Sequence, residues 1–189
     1  MSVGELIIYL CKLKTKTMRT IEIQAYQFDE LNKQTQQKII KNHYNINLYD
    51  GWWDLVCDEF KQVEIIIKGF DLYRREIEIE IYSSYEQTAD YIMSYGFNTT
   101  EQIYIATKKF LKDRNDLFKK YGENDKIEEE FYNDYDNEIN AIEDVFHCSL
   151  QNEILRQLNS EYDYYLSDDA IKETIIVNEY EFKKDGERL

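Results

Sequence analysis

Residues 69–82 read Gly-Phe-Asp-Leu-Tyr-Arg-Arg-Glu-Ile-Glu-Ile-Glu-Ile-Tyr. Ile77, Ile79 and Ile81 alternate with Glu76, Glu78 and Glu80, the period of a strand with one apolar and one solvated face. A helix would scatter those isoleucines around its circumference, because successive positions turn by about 100°. The stretch predicts a strand over residues 70–82. It decides the fold class, since the chain beyond it is largely helical in pattern.

Working upstream, Trp53, Val56, Phe60, Val63 and Ile67 recur at three- and four-residue spacing. They predict an amphipathic helix from about Trp52, ended by Gly69 as a left-handed cap. Trp53 belongs to that apolar stripe, and Trp52, one position away, covers a second core edge or is exposed for binding. Asn32 is the expected N-cap of a helix running to about Tyr44, with Ile39 and Ile40 inward. Residues 20–27 alternate in the strand manner, and residues 6–13 are a further candidate strand.

Downstream, Ile103, Phe110, Leu117 and Tyr121 predict a helix over residues 100–121. The series Ile127, Phe131, Tyr135, Ile139, Ile142, Phe146, Leu150, Ile154 and Leu158 continues in steps of three or four. It predicts one long helix, or two broken near His147 to Ser149. Ser167 caps a short final helix, and residues 180–189 form a last strand with a Lys-Asp-Gly turn. Proline is absent and glycine occurs six times, which favours long helices and short polar turns. The expected fold is α+β, a small antiparallel sheet packed by helices with a long acidic helical segment. Residues 1–189 make a single domain, with 1–17 an extension and 99–160 an acidic helical lobe.

Charge is the other conspicuous property. Of the net charge of −15, residues 121–170 carry −13, from fifteen acidic and two basic side chains. An excess this localised builds a directional field that repels bare nucleic acid and attracts basic protein surfaces. Glu128, Glu129, Glu130, Asp134, Asp136, Glu138, Glu143 and Asp144 are the candidate partner-binding residues, with Tyr132 and Tyr135 as aromatic anchors. Glu76, Glu78 and Glu80 form a secondary acidic face, its carboxylates about 6.6–6.8 Å apart along the strand. Such a row resembles a phosphate backbone to a basic groove.

Groups suited to catalysis are sparse. His43 and His147 lie 104 residues apart in unrelated contexts. Cys11, Cys57 and Cys148 form neither a disulfide framework nor a zinc motif, and are read as reduced, mostly buried thiols. No phosphate-cradling glycine loop or dinucleotide fingerprint occurs. Asp50, Asp54 and Asp58 recur every four residues and are the one candidate metal set, though they turn away from the apolar stripe. The apolar run at residues 6–11 is too short to cross a bilayer, and Lys12, Lys14 and Lys16 follow it in the wrong order for a secretory signal. A cytoplasmic protein without cofactor or membrane partner is expected.

Several of these residues resemble a family of small, acidic, uncharacterised proteins of phages and other mobile elements. The likeness begins at Met18 and runs through Thr20-Ile21-Glu22-Ile23, Phe28, Glu30-Leu31, Trp52-Trp53 and Gly69-Phe70. It resumes at Tyr164, Leu166-Ser167-Asp168, Ala170-Ile171 and Glu173-Thr174-Ile175. It closes on Asn178-Glu179-Tyr180-Glu181-Phe182 and Asp185-Gly186. Members begin where Met18 lies, so translation from Met1 or from Met18 stays open. After the Gly-Phe pair they carry a Gly/Ser/Trp-rich stretch where this chain has Arg74-Arg75 and the Glu/Ile alternation. Residues 99–160 are particular to this chain.

The resemblance implies only a setting, a phage or other mobile element. That setting and the localised acidic charge together lead to the expectation of an anti-defence inhibitor, anti-CRISPR-like, that binds a basic, nucleic-acid-binding host protein without touching nucleic acid itself. Two alternatives stand beside it. One is a metal-dependent phosphoester or nucleotide hydrolase using Asp50, Asp54 and Asp58. The other is an antitoxin-like regulatory partner. Homo-oligomerisation is compatible with each.

Overall fold

A computed structural model describes residues 22–94, 100–122 and 131–189. The candidate strand at 6–13, Cys11, Ile127 and Glu128 to Glu130 lie outside the described residues. Within them the fold is α+β, with six α-helices and two antiparallel sheets of two strands each. These divide between two compact units, His43–Thr174 and a smaller one joining residues 22–42 to Ile175–Leu189.

In the smaller unit, β1 (Tyr26–Gln27) pairs antiparallel with β4 (Glu181–Phe182), Tyr26 opposite Phe182. The strand expected over residues 20–27 is thus confined to its last two described positions. A single turn of 3₁₀ helix, Phe28–Glu30, follows and leads into α1 (Lys33–Asn42). Asn32 caps α1 as expected, its side-chain oxygen accepting the Thr35 amide at 3.0 Å. Phe182 and Ile39 are fully buried. Gly186 adopts φ +87°, and a β-carbon there would come within 3.0–3.1 Å of Thr35 and Ile39. The Lys-Asp-Gly turn therefore needs its glycine for both backbone conformation and room.

The larger unit is built on a hairpin, β2 (Ile65–Asp71) and β3 (Glu76–Ile81). The helix expected to run to Gly69 is α2, Asp54–Lys61, and it stops short. The β-branched run Ile65-Ile66-Ile67 extends instead and pairs with β3, Ile65 opposite Ile81 and Ile67 opposite Ile79. Glu64, at φ +62°, makes the reversal that had been assigned to Gly69. Gly69 lies in β2, where a bulge shifts the register between it and Ile67. The stretch 70–82 is accordingly the end of one strand, a turn and a second strand. Arg75 sits in that turn at φ +60°, and the Asp71 side chain accepts the Arg74 amide at 2.9 Å.

Trp52 takes the first of its two expected places, at a core edge, and Trp53 is the less buried of the pair. Trp52 is core, 9% exposed, and its ring meets Phe70, Tyr162 and Tyr165 at centroid distances of 5.4–6.5 Å. Trp53 is half-buried. Both precede α2, in a turn where Gly51 has φ +90°, so the 100° helical step does not govern them.

Four helices follow: α3 (Tyr85–Ser94), α4 (Glu101–Tyr121), α5 (Tyr132–Tyr165) and α6 (Asp168–Val177). The long helix is one continuous rod of 34 residues with no break at His147 to Ser149. Phe146, Leu150, Ile154 and Leu158 of its buried line share a core with Ile103 and Phe110 of α4, Phe60 of α2 and Ile65 of the hairpin, while Tyr135 packs in a separate cluster with Leu117. Phe110 and Phe146 stack at 4.5 Å. The acidic helical lobe therefore shares one core with the hairpin. The Ser167 hydroxyl caps α6 by accepting the Ala170 amide at 3.2 Å, as expected.

Candidate partner-binding site

The acidic residues expected to face a partner from the long helix are divided by the fold. Tyr132, Asp134, Asp136 and Asp144 are exposed, whereas Tyr135 is buried against Leu117 and does not serve as an anchor. Glu138 is paired within the chain, although its side chain stays at the surface. Its carboxylate accepts bonds from Lys120 at 2.6 Å and from the Tyr121 hydroxyl at 2.9 Å, which hold it below the usual carboxylate range. Glu143 is half-buried, and burial pushes its carboxyl upward, with Arg114 opposing and Asp144 adding to the rise.

The cause is α4. That helix carries six basic and three acidic side chains, against one basic and eight acidic on α5. Packing the two together lets the basic helix neutralise part of the acidic one. The stripe of α5 opposite its buried line is largely neutral: Asn133, Asn137, Asn140 and Cys148 stand there with Asp144, all exposed. Cys148 was read as a buried thiol and is exposed, while Cys57 is half-buried.

The secondary acidic face has the simpler geometry. Glu76, Glu78 and Glu80 all point outward from β3 while Ile79 is buried beneath them, as the alternation requires. Glu80 pairs with Lys68 of β2. Asp71 joins this face, because the register sets it opposite Glu76. Sequence reading missed Asp71, since it placed residues 70–82 in a single strand. The Arg74-Arg75 interruption between two β-type runs was the available signal. Like charges opposite each other across a ladder destabilise it, so this pair is held at a cost. Arg74 lies 3.7 Å from the Asp71 carboxylate and offsets part of the repulsion. Gly69 lies opposite Glu78, and its missing side chain leaves a depression on the hairpin ringed by Asp71, Glu76 and Glu78.

Trp53 and Cys57 of the α2 region and Ile67, Lys68, Gly69 and Phe70 of β2 line a cleft of about 340 Å³. The rings of Trp53 and Phe70 meet edge to face at 5.7 Å. Burial pushes the Cys57 thiol upward, and the Asp54 and Asp58 carboxylates push it further.

The candidate metal set is not gathered into a site. Asp50, Asp54 and Asp58 are all exposed. Among the described residues no group of three or more His, Cys, Asp or Glu side chains is placed to hold a metal ion. Asp54 bends back toward Gly51, where a β-carbon would meet its carboxylate at 2.5 Å. His147 is engaged, its Nδ1 3.0 Å from the Tyr85 hydroxyl. No helix among the described residues is long and apolar enough to cross a membrane. Comparison with protein-family models, curated proteins and solved structures found no match to this chain.

Proposed function

We propose that the protein is a non-enzymatic inhibitor that covers a basic, nucleic-acid-holding surface of a host defence protein in the host cytosol. The observation that carries this reading is the outer face of the β2–β3 hairpin. Four carboxylates, Asp71, Glu76, Glu78 and Glu80, stand on a hydrogen-bonded ladder, and Asp71 and Glu76 oppose each other directly. A cationic partner relieves that repulsion, so part of the cost held in the free protein returns as binding free energy. Asp134, Asp136 and Asp144 on α5 add to the long-range field and steer the encounter.

The test is affinity capture of the tagged protein from a nuclease-treated natural-host lysate at low and high salt. The expected result is retention of a nucleic-acid-binding host protein, weakened by salt. Joint replacement Glu76→Lys and Glu78→Lys should abolish it while the circular-dichroism spectrum is unchanged. Capture of a protein encoded by the same mobile element, with no host protein, would replace this reading by the antitoxin-like one. Unaltered capture by the double variant would remove the hairpin face from consideration.

A further inference from the structure

The cleft between the α2 region and β2 is lined by Trp53, Cys57, Ile67, Gly69 and Phe70, with Lys68 the charged residue of its wall. Trp53, Phe70 and Ile67 are only half-buried there, so each leaves apolar surface open to solvent. Its size is that of a pocket for one large side chain or a small ligand.

Addition of a strand to β2 does not explain it. Lys68 sits at the bulge on β2, and a lysine combined with a bulge is how edge strands are kept from pairing. What the site can accept is a side chain inserted from a neighbouring molecule.

The charges around it decide the kind. Asp54 and Asp58, exposed on α2, act on Cys57 at the cleft wall. On the other side, Gly69 and Phe70 are shared with the depression ringed by Asp71, Glu76 and Glu78. Lys68, also at the wall, is paired with Glu80. The apolar floor therefore lies between two groups of carboxylates. Hydrophobic anchoring within a charged rim is the usual division of labour at a protein interface.

We propose that this cleft receives an apolar anchor side chain, aromatic or long aliphatic, from a partner segment that carries lysine or arginine on either side of the anchor. The proposal rests on the reading that the protein binds a basic partner, and it adds the element that gives such binding its specificity. Charge brings the segment in, and the Trp53–Phe70 wall holds it.

The probe is a short fluorescein-labelled peptide of alternating lysine and glycine with one central phenylalanine, titrated with the full-length protein. A second peptide has serine at the centre. The expected result is saturable binding of the first, weakened about tenfold or more by the serine exchange, in line with loss of a buried aromatic contact. Cys57→Trp, which fills the cleft, should remove the difference between the two peptides. Asp58→Lys leaves the packing untouched and should weaken the phenylalanine peptide by about fivefold through the rim charge.

Equal binding of both peptides, unaffected by Cys57→Trp, would overturn the cleft while leaving the charge-based reading in place. Binding of neither peptide at low salt would overturn both.

Discussion

Glu153 is a carboxylate left only 5% exposed in the middle of α5. Burial is the largest influence and works to raise its pKa, but the Arg156 guanidinium, bonded at 2.8 and 2.6 Å, together with Thr100 and Gln157 holds the carboxyl below its usual range. A group depressed in the folded state stabilises the fold above its unfolded pKa, and that contribution is lost as pH falls through the folded value. Arg156→Ala should therefore cost about 1–3 kcal/mol at neutral pH, the lower figures reflecting the solvent around the guanidinium. Urea titrations at pH 7 and pH 3 would show the gap to wild type closing on acidification, and a constant gap would dismiss the pairing. At the same scale, Trp52→Ala should destabilise by about 3–5 kcal/mol. Trp53→Ala should cost markedly less, because its ring is only half-buried. Equal losses in thermal or urea unfolding would restore Trp53 to the core. The order of the two tryptophans was not legible in the sequence. Helical spacing assigned Trp53 to the stripe, and the turn at Gly51 places both residues before the helix begins.

Elements were legible wherever pattern and local chemistry agreed. The caps at Asn32 and Ser167, the span of α4 and the inward face of β3 followed from one-turn hydrogen bonding and from period. The boundary between α2 and β2 did not. Val63 and Ile67 continue a helical spacing, yet Ile65, Ile66 and Ile67 are β-branched and have pairing partners twelve to sixteen residues further along the chain. Tertiary pairing overrode the local period there, as it often does in short apolar runs. The cost of this solution is visible in two non-glycine residues of left-handed conformation, Glu64 and Arg75. Arg75→Gly removes the β-carbon clash at the hairpin turn and should stabilise the protein by about 0.5–1 kcal/mol after the entropic cost of glycine. A lower unfolding midpoint in that variant would mean that the Arg75 side chain holds the turn in another way.

For the molecule as a whole, the sequence made the total charge plain and its distribution only partly so. Fifteen acids between residues 121 and 170 suggested a single acidic face on the long helix. The fold sets a lysine-rich α4 beside that helix, so Lys120 consumes Glu138 and burial takes Glu143 out of the exposed set. Neither effect can be read from one segment, because both depend on which helices become neighbours. On the hairpin face Glu76 and Glu78 are exposed; among the described residues the ion pairs of its four carboxylates are those of Glu80 with Lys68 and Asp71 with Arg74, and Lys68 also feels the charge of Glu78. This contrast separates the two surfaces experimentally. Lys120→Glu releases Glu138 and makes the α4–α5 surface more negative by two charges. If α5 carried the contact, affinity for a basic partner should rise, and rise most at low salt, where screening is weakest. With the hairpin as the contact, Lys120→Glu should change affinity by no more than about twofold, whereas Glu76→Lys with Glu78→Lys should lower it by about tenfold or more. Isothermal titration against the captured partner, at two salt concentrations, measures both. A clear gain from Lys120→Glu would return the binding surface to the long helix, with Asp134, Asp136 and Asp144 as its exposed charges.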